Sequence, residues 1–288
     1  MFRPRFVGAA VAALFLSLPA MPASASVVLF DGDFDRSDWD NIVMVVPIPG
    51  RDVADGIPAG VVVPPSFVTF DTPPDGGNPG AYRLHRLNWV RYGERVFGGG
   101  VYLGGTYDPA TQGAIQSVDF SADAFVTIGN SFRQELTDWQ VVVRQGGVEY
   151  YSVPMQRFVP APVGIGDPTV FQPLSLTGLV ASSFDTNPLA FFEGAPTGLR
   201  PDFSAWGEAI HFGYVFSNTR DTPDDPDSIG GSPIAPPPND PVQFTYTAIP
   251  ILDNWQVTAH VVPLPGALPL LATGMVALAW LRRRRDTG

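Results

Sequence analysis

Apolar and polar side chains alternate over short stretches of this chain, and glycine, proline, aspartate and asparagine separate the stretches. Val118 and Phe120 alternate with Ser117, Asp119 and Ser121, the period of two expected of a strand with one buried face. Trp139–Val143 is aromatic and β-branched, Gly146-Gly147 follows, and Val148–Val153 resumes the pattern. These segments predict a hairpin, Trp139–Arg144 to Val148–Val153, turning at Gln145-Gly146-Gly147. Further strands are predicted at Ile42–Val46, Val61–Val63, Phe67–Phe70, Tyr82–Val90, Val101–Tyr107, Phe125–Ile128, Val170–Leu179, Leu189–Phe192, Ile210–Ser217, Phe244–Ile251 and Asn254–Val261. One short helix is predicted around Ser131–Asp138. A parallel α/β sheet would need intervening helices of about 10–15 residues, and the pattern offers none. Thr219–Pro241 holds seven prolines and five aspartates, too much proline for a strand, and reads as a long acidic loop. The fold class that follows is all-β, an antiparallel β-sandwich.

The two ends follow different rules. Arg3 and Arg5 precede an uncharged run, Val7–Leu18, and Ala23-Ser24-Ala25 supplies small residues before a cut. Residues 1–25 therefore read as a secretory signal peptide, and 26–261 as the exported domain. At the other end, Val262-Pro263-Leu264-Pro265-Gly266 precedes an uncharged apolar segment, and Arg282-Arg283-Arg284-Arg285 closes it. Residues 266–281 predict a separate C-terminal transmembrane helix. By the positive-inside rule the four arginines stay cytoplasmic and the body lies outside. On physical grounds alone residues 262–288 serve equally well as a plain anchor or as a sorting signal.

A short proline motif, one apolar helix and a terminal arginine cluster, in that order, resemble the PEP-CTERM class of bacterial sorting signals. Val262, Pro263, Leu264 and Pro265 match its VPLPA-type variant, with Gly266 where that variant has alanine. The resemblance implies export by the secretion machinery and transient anchoring in the inner membrane of a Gram-negative-type bacterium. It further implies processing by an exosortase-type transpeptidase and delivery to the cell surface or extracellular matrix, in association with exopolysaccharide. Leu252–Val257 and Pro201–Ala205 are similar to segments of the same exported group, and they imply a jelly-roll or lectin-like sandwich.

Composition narrows the chemistry. The chain has 288 residues and no cysteine, which excludes disulfides, cysteine-ligated metals and a cysteine nucleophile. Its 17 basic residues are all arginine, so a Schiff-base lysine is excluded as well. Without the two ends, residues 26–265 keep 27 acidic residues against 11 arginines. Such a charge repels nucleic acid, which is not expected as a partner, and attracts cations.

Candidate sites are few. Asp31, Asp33 and Asp35 alternate before Trp39, and three carboxylates so spaced suit a structural Ca²⁺; a solvated acidic loop is the competing reading, and no other cofactor is expected. Trp89 and Tyr92, near Arg86 and Arg91, are the candidate sugar-stacking pair, whereas Trp139 and Trp255 precede alternating strands and read as core. His85, His211 and His260 read as structural or solvent-facing. No HExxH or GxSxG occurs, and acidic pairs are too numerous to single out a glycosidase dyad. The expectation is a non-enzymatic exported envelope or matrix protein. The alternatives are a carbohydrate-binding module and, behind it, a secreted glycoside hydrolase.

Overall fold

A computed structural model describes residues 25–47, 67–77, 80–89, 94–129, 137–158, 171–190, 195–219 and 246–262. In these segments the chain is almost entirely antiparallel β-structure in two sheets, as the alternation predicts. The strands are β1 (Ala25–Asp31), β2 (Trp39–Pro47), β3 (Phe67–Asp71), β4 (Arg83–Trp89), β5 (Glu94–Tyr102), β6 (Ala114–Gly129), β7 (Thr137–Gln145), β8 (Val148–Ser152), β9 (Gln156–Phe158), β10 (Gln172–Leu179), β11 (Phe184–Asp185), β12 (Ile210–Thr219) and β13 (Tyr246–Val262). One helical turn, α1 (Pro109–Gln112), is capped by Asp108, whose carboxylate accepts from Ala110 N.

The six-stranded sheet runs β10-β6-β13-β4-β3. The strand β1 pairs with β13 beyond the end of β4. The seven-stranded sheet runs β11-β8-β7-β12-β5-β2, with β9 also on β7. Inward-facing side chains from both sheets meet in one core: Val118, Phe120 and Ala122 of β6, Trp255 and Val257 of β13, Trp139 and Val141 of β7, and Phe212, Tyr214 and Phe216 of β12. Both predicted core tryptophans are fully buried. On β6 and β13 the alternate positions Ser117, Asp119, Ser121, Gln256, Thr258 and His260 take the other face.

The seven-stranded sheet is different. Its outer face also buries apolar residues, namely Ile42, Phe97, Val101, Val142, Tyr151 and Val215, which cluster with Leu189 from the turn after β11. Strands covered on both faces lose the alternation, which is why Val141-Val142-Val143 reads as a continuous apolar run. The predicted hairpin is β7–β8, with Gln145 opposite Val148. Gly146 and Gly147 have φ of 60° and 77°, the paired left-handed conformation of a two-residue type I′ turn, so glycine is required there.

Four predicted boundaries are corrected. The strand predicted at Val101–Tyr107 is β5, shifted back to Glu94–Tyr102. Gly98-Gly99-Gly100 hid it, and the glycines are there because strands press close: a Cβ on Gly99 would lie 2.0 Å from the Tyr214 carbonyl oxygen. The strands predicted at Phe244–Ile251 and Asn254–Val261 are one strand, β13, with a register irregularity between Asp253 and Gln256 where Asn254 has φ of 50°. Thr137 and Asp138, placed at the end of the predicted helix, begin β7. Leu189 and Ala190 lie in a turn rather than a strand. No element was expected over Ala25–Asp31, yet β1 fills it. Val61–Val63, residues 131–136 and the acidic loop from residue 220 onward lie outside the described residues. So does the predicted transmembrane helix, 266–281; among the described residues no helix is long and apolar enough to cross a membrane.

Candidate functional site

The interior between the sheets carries one polar cluster, built by β2, β4 and β12. Arg83 enters it from β4 and is only 2 % exposed. Its Nη2 donates to Oδ1 of Asn41 on β2, a residue that is itself exposed. The guanidinium lies over the Trp39 ring at 4.6 Å and over the Phe70 ring at 5.7 Å, both within cation–π range. Nε and Nη1 have no acceptor among the described residues. Burial pushes the Arg83 pKa down; Tyr214 and Asp31 pull it back up, and Arg36 adds to the lowering.

Next to it, His85 is fully buried, with Nε2 3.1 Å from the Tyr214 hydroxyl. Its ring meets Phe70 and Tyr214 edge-on. Burial first, and the Arg83 charge second, hold the His85 pKa well below 6.5, so the ring is neutral at pH 7. Burial likewise pushes the Tyr214 phenol up. The cluster is thus a positive charge beside a neutral imidazole and a neutral phenol, with aromatic faces around it. Gly100 makes room for it, since a Cβ there would lie 2.9 Å from Arg83 Nη2 and 3.1 Å from the Trp39 ring.

The acidic loop does not gather its carboxylates. Asp31 is buried and accepts from Asp33 N (3.0 Å), Phe34 N (2.9 Å) and Trp39 Nε1 (2.5 Å). Asp35 accepts from Ser37 N and Oγ, capping a short 3₁₀ turn, and Asp33 is exposed. Among the described residues no group of three His, Asp or Glu side chains is placed to hold a metal ion. The hydrogen bonds of Asp31 and Asp35 cap this loop, and Asp31 orients Trp39.

Trp89 closes β4 opposite Tyr246, and Tyr92 lies outside the described residues. Of the exposed aromatics of the described surface, Phe30, Phe67 and Trp206, the last stands out most, at 92 % exposed. Its turn is held by hydrogen bonds. Phe203, in the same segment, is buried against Phe184, Asp202 Oδ1 accepts from Ser204 N, and Gly207 N donates to Ser204 O. Gln145 Nε2 donates to the Asp202 and Glu208 carbonyls, and its Oε1 accepts from Asp202 N. A Cβ on Gly207 would lie 2.1 Å from the Asp202 oxygen, so the turn needs glycine at that position. The sequence signal was available: a tryptophan beside glycine, just after Pro201-Asp202, is more turn-like than strand-like.

Asp185 organises the chain leading to that turn. Its side chain is fully buried and accepts from Asn187 N, Thr197 N, Thr197 Oγ1, Gly198 N and Arg200 Nη1 at 2.8–3.1 Å. Burial raises its pKa, but these donors outweigh burial and bring it down to about 2.

Of the proposed sorting motif, Val262 is the last described residue and the end of β13, paired with Ala114; Pro263, Leu264, Pro265 and Arg282–Arg285 lie outside. Beside it, Ala25 pairs with Val261 and Ser26 with His260. His260 Nε2 in turn lies 2.7 Å from Asp119 Oδ2 on β6.

No protein-family model matches the chain, and no curated protein matches it. Among solved structures, the chain is similar to a family 11 carbohydrate-binding module from Clostridium thermocellum in complex with a β-1,3-1,4-mixed-linked tetrasaccharide. The identity is 9 % and the TM-score 0.36, over 81 % of this chain and 96 % of that one. Similarity at that level carries no conclusion about ligand.

Proposed function

We propose that this chain is an exported, non-enzymatic envelope or extracellular-matrix protein. In this reading its jelly-roll or lectin-like sandwich is delivered outside the inner membrane and both chain ends are removed. One observation supports it. The folded unit spans Ala25–Leu264, so its borders coincide with the cut expected after Ala25 and with the motif Val262–Pro265. The first and last strands pair side by side, Ala25 with Val261.

Terminal mass spectrometry of the protein released by a bacterium that carries the matching transpeptidase tests this reading. The expected product starts at Ser26 and lacks Arg282–Arg285. Changing Pro263 and Pro265 to alanine should leave insertion intact and stop the C-terminal cut; normal cutting of that variant would leave a plain anchor.

Trp206 favours a second reading, a polysaccharide-binding surface. A flat indole held by a glycine turn is pre-ordered for stacking on a pyranose ring. Affinity electrophoresis against soluble polysaccharides should show a retardation that Trp206→Ala removes without changing Tm. Equal mobility of the two proteins in every polysaccharide would dismiss it.

A further inference from the structure

We propose that Arg83 forms the floor of an anion-binding site that opens beside Asn41 and takes a halide or the carboxylate group of a small acid. Four features converge there. Arg83 is a buried cation with one hydrogen bond, to Asn41 Oδ1, and two N–H groups, on Nε and Nη1, that have no acceptor among the described residues. A buried charge in that state is costly, and an anion between those donors removes the cost. The one carboxylate whose field reaches Arg83, Asp31, is committed to Trp39 Nε1 and two loop amides and stands outside ion-pair distance. Arg36 adds positive potential nearby, against the acidic balance of the domain as a whole.

The way in is open. Trp39 and Asn41 of β2 point between the sheets, so Val43 and Val45, two and four residues further on, share that face. Yet these two valines are 49 % and 38 % exposed. The inner face of β2 is therefore uncovered along this edge, and Asn41 stands between solvent and the guanidinium. Trp39 and Phe70 supply apolar walls, which suit a monovalent anion better than a doubly charged phosphate or sulfate. The proposal is independent of the export reading.

The test is thermal unfolding of the full chain at pH 7.5 and constant sodium concentration, with the bulky sulfonate of MES replaced by chloride or acetate. Tm should rise by about 5 °C or more at a hundredfold excess over Kd. A rise in chloride alone identifies a halide site, and a rise in acetate as well identifies a carboxylate site. Asn41→Asp places a carboxylate on Arg83 from within, so its Tm should start higher in MES and stay flat with either anion. Arg83→Met should also be flat. An equal Tm for the wild-type chain in all three salts overturns the proposal, as does an unchanged anion response in Asn41→Asp. Crystals of the wild-type chain soaked in bromide give a readout that needs no variant. Anomalous density within hydrogen-bond distance of Arg83 Nε or Nη1 is expected, and density only elsewhere would refute the site.

Discussion

Two arginines, Arg83 and Arg95, are buried on opposite faces of the seven-stranded sheet, and their surroundings differ. Arg95, beside the outer face, donates from Nη1 to Asp138 Oδ2 at 2.9 Å and to Ser217 Oγ at 3.1 Å. Asp138 is itself buried and also accepts from Arg157 Nε at 3.1 Å, so both of its oxygens are engaged and Arg95 has a buried counter-charge. Arg83, beside the inner face, has an exposed asparagine and two ring faces. The first environment is structural, a network of side chains within the protein. The second is short of acceptors, which is the condition under which a ligand adds stability. Burial of a charge therefore does not mark a site by itself. What distinguishes the two arginines is the balance of donors and acceptors around each.

The contrast can be broken at several points. Asp138→Ala should have the largest effect, about 3–5 kcal/mol by urea unfolding, because it removes the buried carboxylate that Arg95 and Arg157 share. Asp185→Asn comes next. The Asp185 pKa is depressed in the fold, so its contribution is present above the unfolded value near 3.8 and is lost as pH falls towards about 2. That is about 2 kcal/mol over the window from pH 4 to pH 2, and the variant's stability curve should be flatter there. His85 acts at higher pH. Its folded pKa is depressed, so the unfolded chain takes up a proton that the fold excludes, and stability should fall as pH drops below about 6.5. His85→Gln should remove that limb, visible in Tm measured from pH 7.5 to pH 5. Arg83→Met should then be mild, about 1 kcal/mol or less in an anion-free buffer, against several for Arg95→Met. Equal losses for the two would erase the comparison. The smallest effect belongs to Trp206→Ala, within about 0.5 kcal/mol, since the indole touches little.

Much of the sandwich was legible in the sequence where one face is wet. On β6, Ser117, Asp119 and Ser121 against Val118 and Phe120 gave the period directly, and Gly146-Gly147 announced its turn. Legibility failed where the second face is covered or the backbone departs from the ladder. The three glycines of β5 resemble a loop until Tyr214 and Gly213 are seen pressing against them, and Pro250 and Asn254 made one long strand look like two. The Arg83 cluster could not be read at all. Its parts come from Trp39, Asn41, Phe70, His85 and Tyr214, far apart in the chain, and no local pattern marks a missing acceptor. Asp31, Asp33 and Asp35 show the converse: alternating aspartates are equally the signature of loop caps. Trp206 was within reach, because its turn residues were on view.

The export proposal turns most on where the mature chain begins and ends; the described strands run from Ala25 to Val262, next to the two expected cuts. Intact-mass analysis of the protein recovered from outside the inner membrane addresses this directly. The account predicts a species that starts at Ser26 and ends within or just before Val262–Gly266, with the sandwich still folded. A recovered chain that retains residues 1–25, or that keeps Arg282–Arg285 in the presence of a competent transpeptidase, would contradict it.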